Sequence, residues 1–592
     1  MNISMARFIN AFRAGSSTIL IAAAAFIFSA LTQSVYAHEK SAPWLDETTL
    51  DGGLYVELRH PPVIRRAKPF DISVVMINLQ VNGEVTVEQV RYLLPDASAP
   101  VVHPRDEVLV NKSSAHEQYK AARRRLEENG SNQDANIVGE LYARSRLALM
   151  DVASGTVRDR QRIDADRLPP VGSILEVTVE VDVLQAGQRR TLRRAARIPV
   201  QPPLPTGGQG SWFAGDQHLH TVFSIDAFFV DGTTELITDY AATAEAIGLD
   251  WIIVTDHTNI GFSIWYDPSL FAIGEVLARR YRFSRNFLVL QGQEMGVGAI
   301  GPLGEPAHLL AYPRFADSTG FLPNPCSGLV FNHVNCEPEQ VIIDRVNDAG
   351  GIGFIAHPFD SAPLAFAQWD IDAGIVGWGG LEIFNSNDGV FGAEDQESVD
   401  WWHDLLRAID PPVNGELADR ADYPTRFPVG LGNSDAHRPG DIGNTFSYAK
   451  LPGVSRGQGT PSREDVADAF VSGRLVASNG PLVYGQVNGA GTGEVALVSF
   501  SQNRLRVTLL TTTEFGPVGD YEITVLVDGT PRITVPPSGS MRFSKTLVLE
   551  DLLAPPDKFV TIQAVRSVCE GCPPDAIVYQ AIANPIWLEF IP

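Results

Sequence analysis

The segment "TTELITDYAATAEAIGLDWIIVTDH" (Thr233–His257) decides how the central part of this chain folds. Its first half has the apolar spacing of an amphipathic helix, and its second half is a short apolar run, "WIIVT", without polar alternation. A strand of this kind is buried on both faces, which is typical of a parallel sheet covered by helices. The run ends on Asp256 and His257, so the segment predicts ionisable side chains at the carboxyl end of a buried strand.

The same alternation of short apolar strands and amphipathic helices recurs through residues 208–481. This pattern predicts an α/β domain, built either as a barrel or as a doubly wound sheet. Ionisable residues follow many of the strands, which favours a barrel because such a barrel gathers its active site at the carboxyl ends of its strands. The other predicted strands are "FLVLQG", "GIGFIAH", "GLEIFN" and "PVGLGNS", and the other helices are "PEQVIIDRVNDAG" and "SREDVADAFVSGR".

The regions on either side, 38–207 and 482–592, are predicted to be β-domains. "LEVTVEVDVL" (Leu175–Leu184) alternates valines with polar residues, which predicts a half-buried antiparallel strand. Residues 113–153 predict two helices inserted into the first β-domain, and "QPPLPTGGQG" predicts a linker to the α/β domain. After residue 481, segments such as "YEITVLVDG" predict a small β-sandwich.

Residues 1–37 have the pattern of a secretory signal peptide. Arg7 and Arg13 precede the apolar run "STILIAAAAFIFSAL", and "SVYA" offers a small-residue cleavage site after Ala37. A retained membrane anchor is the alternative, but the apolar run is short for a full span. The chain is therefore predicted to be secreted or periplasmic, with no membrane span after cleavage.

The cysteines form two close pairs, Cys326 with Cys336 and Cys569 with Cys572. In an oxidising compartment, such spacing predicts two local disulfides. The alternative for "CEGC" is a redox pair or half of a zinc site, but no partner residues lie nearby in the sequence.

The net charge and the absence of several well-known sequence motifs exclude some classes of function. The chain has 46 basic and 70 acidic residues, and its net charge is −24. Such an acidic chain repels phosphate backbones, which argues against a nucleic-acid partner. The sequence has no P-loop, no dinucleotide-binding glycine pattern and no Gly-x-Ser-x-Gly elbow, so it predicts neither a nucleotide cofactor nor serine hydrolysis. The oligomeric state is left open.

Eight of the 12 histidines fall in the α/β region, and six of these lie, with three acids, nearly all at strand ends. A lone histidine after an apolar strand is more often a hydrogen-bonded core residue, but this grouping is typical of a metal centre. His218 and His220 are two residues apart, so on a strand they point to one face. Glu294 is a carboxylate that is costly in apolar surroundings without a cation. The other candidate ligands are Asp226, His257, His308, His357, Asp435 and His437.

The order of these motifs along the chain is itself distinctive. They are "HLHTVFSID", "TDH", "QEM", "AHL", "AHP" and "DAH". This ordered set resembles the PHP superfamily (polymerase and histidinol phosphatase), which opens with H-x-H-T and S-x-D and closes with D-x-H. The resemblance covers residues 211–481, under half of the chain. An exported chain with "GRLVASNGPLV" leading into a β-domain is also similar to the carbaryl hydrolase-like branch of that superfamily.

The resemblance implies a distorted seven-stranded (β/α) barrel that holds up to three divalent ions of manganese, iron or zinc. It assigns the first ion to His218, His220, Glu294 and Asp435. It assigns the second to Glu294 as a bridge, His308 and His357, and the third to Asp226, His257 and His437.

The activity implied by the resemblance is that of a metal-dependent hydrolase with a metal-bridging hydroxide, foremost a phosphoesterase acting on small phosphate esters. Asp435 is the candidate proton shuttle. Arg438 is a candidate contact for an anionic substrate group, with a rim salt bridge as its alternative. Hydrolysis of a carbamate or carboxylic ester is the second hypothesis, and a metal-stabilised surface-binding protein is the third. Asp216 and Asp256 are interpreted as supports of ligand histidines, with a second interpretation as solvated loop acids.

The signal-like start and the paired cysteines together predict an exported protein that begins at His38 and carries two disulfides. Its intact mass should increase by four hydrogens when both bonds are reduced, because each bond takes up two. Mass spectrometry of the native and the reduced protein checks this, and four free thiols in the native protein would contradict it.

Overall fold

The computed structural model describes residues 50–51, 54–66, 68–78, 85–95, 99–108, 155–185, 187–206, 212–224, 227, 233, 235–257, 268–285, 287–300, 306–313, 322, 326–327, 335–359, 374–417, 423–454, 460–499, 503–549, 553–566 and 578–591. The predicted signal peptide and the helices predicted within residues 113–153 lie outside these ranges. Cys569 and Cys572 lie outside them as well.

Two four-stranded antiparallel sheets form the first β-region, in the orders β1-β2-β3-β6 and β5-β4-β7-β8. The strands are β1 (Leu50–Asp51), β2 (Leu54–Arg59), β3 (Phe70–Asn78), β4 (Val85–Leu93), β5 (Val101–Val108), β6 (Gly155–Ile163), β7 (Ile174–Gln185) and β8 (Gln188–Pro199). Strand β7 alternates buried valines with more exposed polar residues, as its sequence predicts. The buried faces of the two sheets share one apolar core.

The central region alternates strands and helices, and each strand and helix quoted above from its sequence is present. Its strands are β9 (Trp212–Asp216), β10 (Trp251–Val254), β11 (Leu288–Gln291), β12 (Gln293–Ile300), β13 (Pro306–Pro313), β14 (Cys326–Ser327), β15 (Asn335–Cys336), β16 (Gly351–Ile355), β17 (Gly380–Asn385), β18 (Val429–Asn433), β19 (Phe446–Lys450) and β20 (Leu475–Ser478). Its helices are α1 (Ile237–Ile247), α2 (Pro268–Arg285), α3 (Glu339–Asp348), α4 (Ala393–Arg407) and α5 (Arg463–Ser472). Within the described ranges, none of the helices is both long and apolar enough to cross a bilayer.

Apart from the two-stranded ladder of β14 and β15, the central strands belong to two sheets that adjoin at Gly292. Strands β9, β10 and β11 are parallel in one sheet, and β16, β17 and β18 are parallel in the other. Strand β11 runs through Gly292 into β12, which pairs with β13 in the second sheet. Strands β12 and β13 run antiparallel to their neighbours, so the region is mixed rather than uniformly parallel. The seven-stranded barrel stays a prediction.

A glycine allows β9 and β10 to approach each other. A Cβ atom on Gly215 would lie 1.9 Å from the indole of Trp251, which is fully buried. Any side chain at this position would therefore push the two strands apart. The close contact matters because both strands lead directly into candidate ligand histidines.

Part of the C-terminal region continues the first central sheet, and the rest of its strands form a separate four-stranded sheet. Its strands are β21 (Leu482–Val487), β22 (Ala490–Gly491), β23 (Val495–Val498), β24 (Arg504–Leu510), β25 (Tyr521–Val527), β26 (Thr530–Val535), β27 (Arg542–Val548), β28 (Phe559–Arg566) and β29 (Gln580–Phe590). Strand β29 pairs with β20, so one sheet runs from β11 through β20 to β26. The change of pattern near residue 481 is therefore not a break in the sheet.

The first cysteine pair lies in a two-stranded antiparallel ladder. Cys326 of β14 is directly opposite Cys336 of β15. Directly opposed residues in such a ladder have Cα atoms about 4.5–5.5 Å apart, within the range of a disulfide. The side chains are outside the described part of the structure, so the disulfide stays a prediction.

Buried ion pairs connect the first β-region to the beginning of helix α1. Glu235 has no solvent exposure, and it pairs with Arg59 of β2 and with Nη2 of Arg158 of β6 at 3.2 Å. Nη1 of Arg158 lies 2.8 Å from Oδ2 of Asp239, which also accepts a hydrogen bond from the Leu236 amide (3.0 Å). The two arginines therefore fix the chain just before α1 and within its first turn.

We expect Glu235→Gln to lower the free energy of unfolding by about 3 kcal/mol, because removing the charge leaves two buried guanidinium groups incompletely paired. Chemical denaturation followed by circular dichroism measures the change. The control is Asp164→Asn, whose ion pair with Arg162 is largely exposed and should contribute within about 0.5 kcal/mol. Equal losses in both variants would contradict a structural role for the buried pair.

Candidate metal centre

Eight of the nine predicted ligands lie in the described part of the chain, and the ninth, Asp226, lies outside it. The eight come from loops and strand ends of the central region. His218 and His220 follow β9, His257 follows β10, Glu294 and His308 lie on β12 and β13, His357 follows β16, and Asp435 and His437 follow β18. Strands β9 and β10 are parallel to each other and β16 is parallel to β17, so the ligands that follow them lie at carboxyl ends, whereas Glu294 and His308 lie near the amino ends of the antiparallel strands β12 and β13.

The two motifs with alternating ligands lie side by side. Leu219 and Ala436 form a parallel bridge. The amide of His220 donates to the carbonyl of Ala436 (2.8 Å), and the amide of Ala436 donates to the carbonyl of His218 (3.1 Å). With the middle residues paired, the outer residues of each motif lie together: the ring centroids of His218 and His220 are 5.0 Å apart, and Oδ1 of Asp435 lies 3.6 Å from Nε2 of His437. This pairing explains why each motif places two candidate ligands at i and i+2.

Glu294 lies at the centre of the cluster, with only 1% of its side chain exposed. A parallel bridge between His257 and Glu294 joins the end of β10 to β12. One carboxylate oxygen, Oε2, lies 3.0 Å from His218 Nε2, 3.1 Å from His220 Nε2 and 3.3 Å from His257 Nδ1. The other, Oε1, lies 2.8 Å from His308 Nδ1 and 3.2 Å from His357 Nε2. Each oxygen thus faces a different group of imidazoles, as a bridging carboxylate requires.

Asp435 closes the cluster from the other side. Its Oδ1 lies 3.0 Å from His220 Nε2, 3.2 Å from His218 Nε2 and 3.6 Å from His437 Nε2. The Nε2 atoms of His218 and His220 therefore each lie between Glu294 and Asp435. These four residues are the set that the resemblance assigns to the first ion.

The electrostatics of the cluster follow from burial and from mutual proximity. Burial alone would raise the pKa of Glu294, but the imidazoles of His257, His218 and His308 hold this pKa well below its usual range. Burial lowers the pKa of His308 to about 4, so this ring is neutral near pH 7. A metal ligand must be a deprotonated carboxylate or a neutral imidazole, and these two residues meet that condition.

Two of the candidate ligands have backbone conformations that side chains rarely adopt. The φ angle is +51° at Asp435 and +23° at His357. Left-handed or sparsely populated conformations of non-glycine residues cost about 1–3 kcal/mol each and occur preferentially at functional sites. The surrounding structure holds both residues in place against this cost.

The donor set fits divalent ions. Three groups have ligand atoms that all lie within 4.8 Å of one another: His218 with His220 and Asp435, His218 with Glu294 and His357, and His220 with His257 and Glu294. Imidazole nitrogens with carboxylate oxygens suit zinc, manganese and iron. The partition into three ions stays a prediction, since His257 lies against Glu294 and His220 here.

Asp216 and Asp256 support the loops rather than the imidazole rings. Asp256 accepts hydrogen bonds from the amide (2.5 Å) and hydroxyl (2.9 Å) of Thr221, which directly follows His220. Asp216 is fully buried and accepts from the amide (3.1 Å) and hydroxyl (2.5 Å) of Ser434, which precedes Asp435. Burial raises the pKa of Asp216 to about 6. Neither residue is a solvated loop acid.

Sequence reasoning did not identify Glu382, which lies inside strand β17. Its carboxylate accepts a hydrogen bond from Nδ1 of His218 at 2.9 Å, on the side of the ring opposite Glu294. The signal was a single acid within the otherwise apolar strand "GLEIFN". Arg438 is half-buried beside His437, and its contact with substrate stays a prediction.

No protein-family model and no curated protein matches the chain. Among solved structures, it is similar to a two-domain protein of Bacteroides vulgatus that contains a predicted PHP-like metal-dependent phosphoesterase, with 14% identity over 65% of this chain and 98% of that one (TM-score 0.31). It is also similar to PsfC of Pseudomonas syringae, with 16% identity over 43% and 88% (TM-score 0.29). A Parabacteroides merdae β-glucuronidase matches 91% of this chain and 64% of its own at 10% identity (TM-score 0.17).

We expect Asp435→Asn and His437→Ala to differ in their effect. Asp435 contacts the two innermost histidines, so its substitution should reduce bound metal and lower turnover by about 10²–10⁴-fold. His437 lies at the edge of the cluster, so its loss should leave measurable turnover with about one ion fewer. Elemental analysis and steady-state kinetics measure both effects.

Both variants should keep the wild-type circular dichroism spectrum, because neither substitution opens an apolar cavity. Identical losses of metal and of activity would show that the two residues belong to one smaller cluster.

Proposed function

We propose that this chain is a metal-dependent hydrolase, foremost a phosphoesterase acting on small phosphate esters. The observation that carries the proposal is the position of Glu294, whose two carboxylate oxygens face separate groups of imidazoles within 3.3 Å. A carboxylate that bridges two ligand groups is typical of centres with two or more divalent ions. The similarity of the ordered motifs to the PHP superfamily supports the same assignment.

Divalent ions held by these ligands supply Lewis-acid activation of water and of the ester oxygens. The chain itself supplies the ligands, their orientation and a path for the proton. His218, His220 and Glu294 form a closed inner side with at most 1% of each side chain exposed. As far as the described residues go, a substrate can therefore reach the centre from its outer side.

The outer side of the cluster retains some contact with solvent. The exposed fraction of the side chain is 16% for Asp435, 10% for His437 and 9% for His357. Asp435 is thus the carboxylate that both contacts the inner histidines and reaches the solvent side, which suits a group that moves a proton to or from the reacting water. A centre with a purely structural role would be closed on all sides.

Arg438 directly follows His437, one of the residues on this outer side, and is half-buried. A guanidinium group at this position suits the anionic oxygens of a phosphate ester, because it can donate two parallel hydrogen bonds to them. We propose that it binds the phosphoryl group. We also propose that the protein works outside the cytoplasm, from the signal-like pattern of residues 1–37.

Removal of the metal ions should abolish turnover of p-nitrophenyl phosphate or bis(p-nitrophenyl) phosphate. Turnover should return with manganese, iron or zinc but not with magnesium, because imidazole-rich ligands disfavour magnesium. The assay uses protein dialysed against a chelator, with its metal content verified before and after each ion is added. Asp388→Asn, which changes an exposed acid of the loop after β17, serves as the control variant.

Undiminished turnover after verified metal removal would contradict the proposed mechanism. The same protein should be assayed with 1-naphthyl N-methylcarbamate and p-nitrophenyl acetate. Turnover of the carbamate with none of either phosphate ester would replace the phosphoesterase assignment by a carbamate hydrolase. Metal binding without turnover of any ester would favour a binding protein instead.

A further inference from the structure

Glu382 is a buried carboxylate that four donors surround. Its side chain, in the middle of strand β17, is 0% exposed. Oε1 accepts hydrogen bonds from His218 Nδ1 (2.9 Å) and Asn433 Nδ2 (2.6 Å). Oε2 accepts from the His357 amide (2.8 Å) and Asn385 Nδ2 (2.6 Å). Two of these donors belong to candidate metal ligands that follow different strands.

The hydrogen bond to His218 determines which ring nitrogen is available to a metal. An ionised carboxylate can only accept, so the proton of this bond must be on Nδ1 of His218. In the neutral ring that a metal requires, the lone pair is then on Nε2, the atom that lies 3.0 Å from Glu294 and 3.2 Å from Asp435. Carboxylates that hold a ligand histidine in this way fix its tautomer and increase its basicity.

The hydrogen bond to the His357 amide acts on the backbone. His357 has a φ angle of +23°, which is unfavourable for a residue with a side chain. The hydrogen bond from the His357 amide to Oε2 of Glu382 fixes the backbone in this strained conformation. The imidazole of His357 consequently points its Nε2 at Oε1 of Glu294, 3.2 Å away. A single carboxylate therefore orients ligands on both sides of Glu294.

The two asparagines hold Glu382 itself. Asn385 ends β17 and Asn433 ends β18, two residues before Asp435. Each donates to a different oxygen of Glu382, so the carboxylate cannot rotate without losing hydrogen bonds at both oxygens. With two donors at each oxygen, no acceptor position is left for a metal ion, and Glu382 is a support rather than a ligand.

We propose that Glu382 is a positioning residue of the metal centre, which fixes the tautomer of His218 and the backbone of His357. This inference rests on the proposed metal centre but not on the identity of the substrate. Its consequence is that the affinity for metal depends on a residue that touches neither metal nor substrate.

Glu382→Gln is the sharpest test because it retains the size of the side chain. A glutamine has one acceptor oxygen and one NH₂ group, so in either orientation its NH₂ group faces two donors. In one orientation the NH₂ group faces the donors of His218 and Asn433, and in the other it faces the His357 amide and the Asn385 side chain. We expect metal affinity to fall about 10–100-fold, which is the usual effect of losing such a support.

The matched control is Asp395→Asn, which replaces another buried carboxyl group close by, one whose pKa burial raises to about 7. Asp395 lies in the first turn of α4. It accepts hydrogen bonds from the backbone amides of Asn385 (2.8 Å) and Gly392 (2.7 Å), and no imidazole is among these partners. It should lower the midpoint of thermal unfolding and leave metal affinity within twofold of the wild type. An equal loss of metal affinity in both variants would mean that Glu382 affects metal binding only through the stability of the fold.

Three measurements separate positioning from stability. Titration of metal-free protein with Zn²⁺ gives the affinity, the visible spectrum of the Co²⁺ form reports the ligand geometry, and thermal unfolding reports the stability. In Glu382→Gln, the Co²⁺ spectrum should change, and excess metal should restore occupancy by mass action. Unchanged affinity with an unchanged Co²⁺ spectrum would overturn the proposal.

Glu382→Asp provides a second variant should the glutamine variant fail to fold. It keeps the charge but is one methylene shorter, so it cannot reach both His218 and His357. Its affinity should fall between those of the wild type and Glu382→Gln, and wild-type affinity would overturn the proposal. A wild-type protein that binds metal but hydrolyses no ester would refute the proposed activity alone, because affinity would still decide the role of Glu382.

Discussion

The burial of Glu294 among imidazoles is the constraint on which the centre depends. A carboxylate with 1% exposure is tolerated in a protein interior only where positive charge or several donors compensate for its lost hydration. Five histidine nitrogens lie within 3.3 Å of its two oxygens. Strands β9, β10, β13 and β16 must therefore bring their histidines to one point, and the mixed topology of the two central sheets brings them there.

The flanking regions contribute to the same centre. The Asn584 side chain of β29 donates to the carbonyl of Gly430 and accepts from its amide, both within 2.9 Å, on strand β18, which leads to Asp435. On the other side, Glu235 is held by the arginines of the first β-region, and its carbonyl accepts from the amide of Val222 (2.9 Å), two residues after His220. The hydroxyl of Thr233 donates to the carbonyl of His437. The flanking regions thus act on the "DAH" motif through Asn584 and on the "HLH" motif through the arginines that hold Glu235.

The sequence predicted the parts of this arrangement that have a local signature. Short apolar runs that end on an acid or a histidine predicted strands β10 and β16, and the i, i+2 spacing predicted that His218 and His220 share a face. The role of Glu382 had no such signature, because one acid in "GLEIFN" does not indicate which histidine lies opposite. The continuation of the sheet through β20 and β29 also depends on a pairing between segments about 100 residues apart. Local patterns cannot specify such a pairing.

His218 shows how the inner and the outer side of the centre work together. Burial alone would lower its pKa, but Asp435, Glu294 and Glu382 raise this pKa well above its ordinary value. Three carboxylates around one buried ring stabilise positive charge at this point strongly. Glu382 faces Nδ1, while Glu294 and Asp435 face Nε2, so the two nitrogens are in different environments. A divalent cation held by Glu294 and Asp435 would take the place of the proton on Nε2, and the proton on Nδ1 would stay in its hydrogen bond with Glu382.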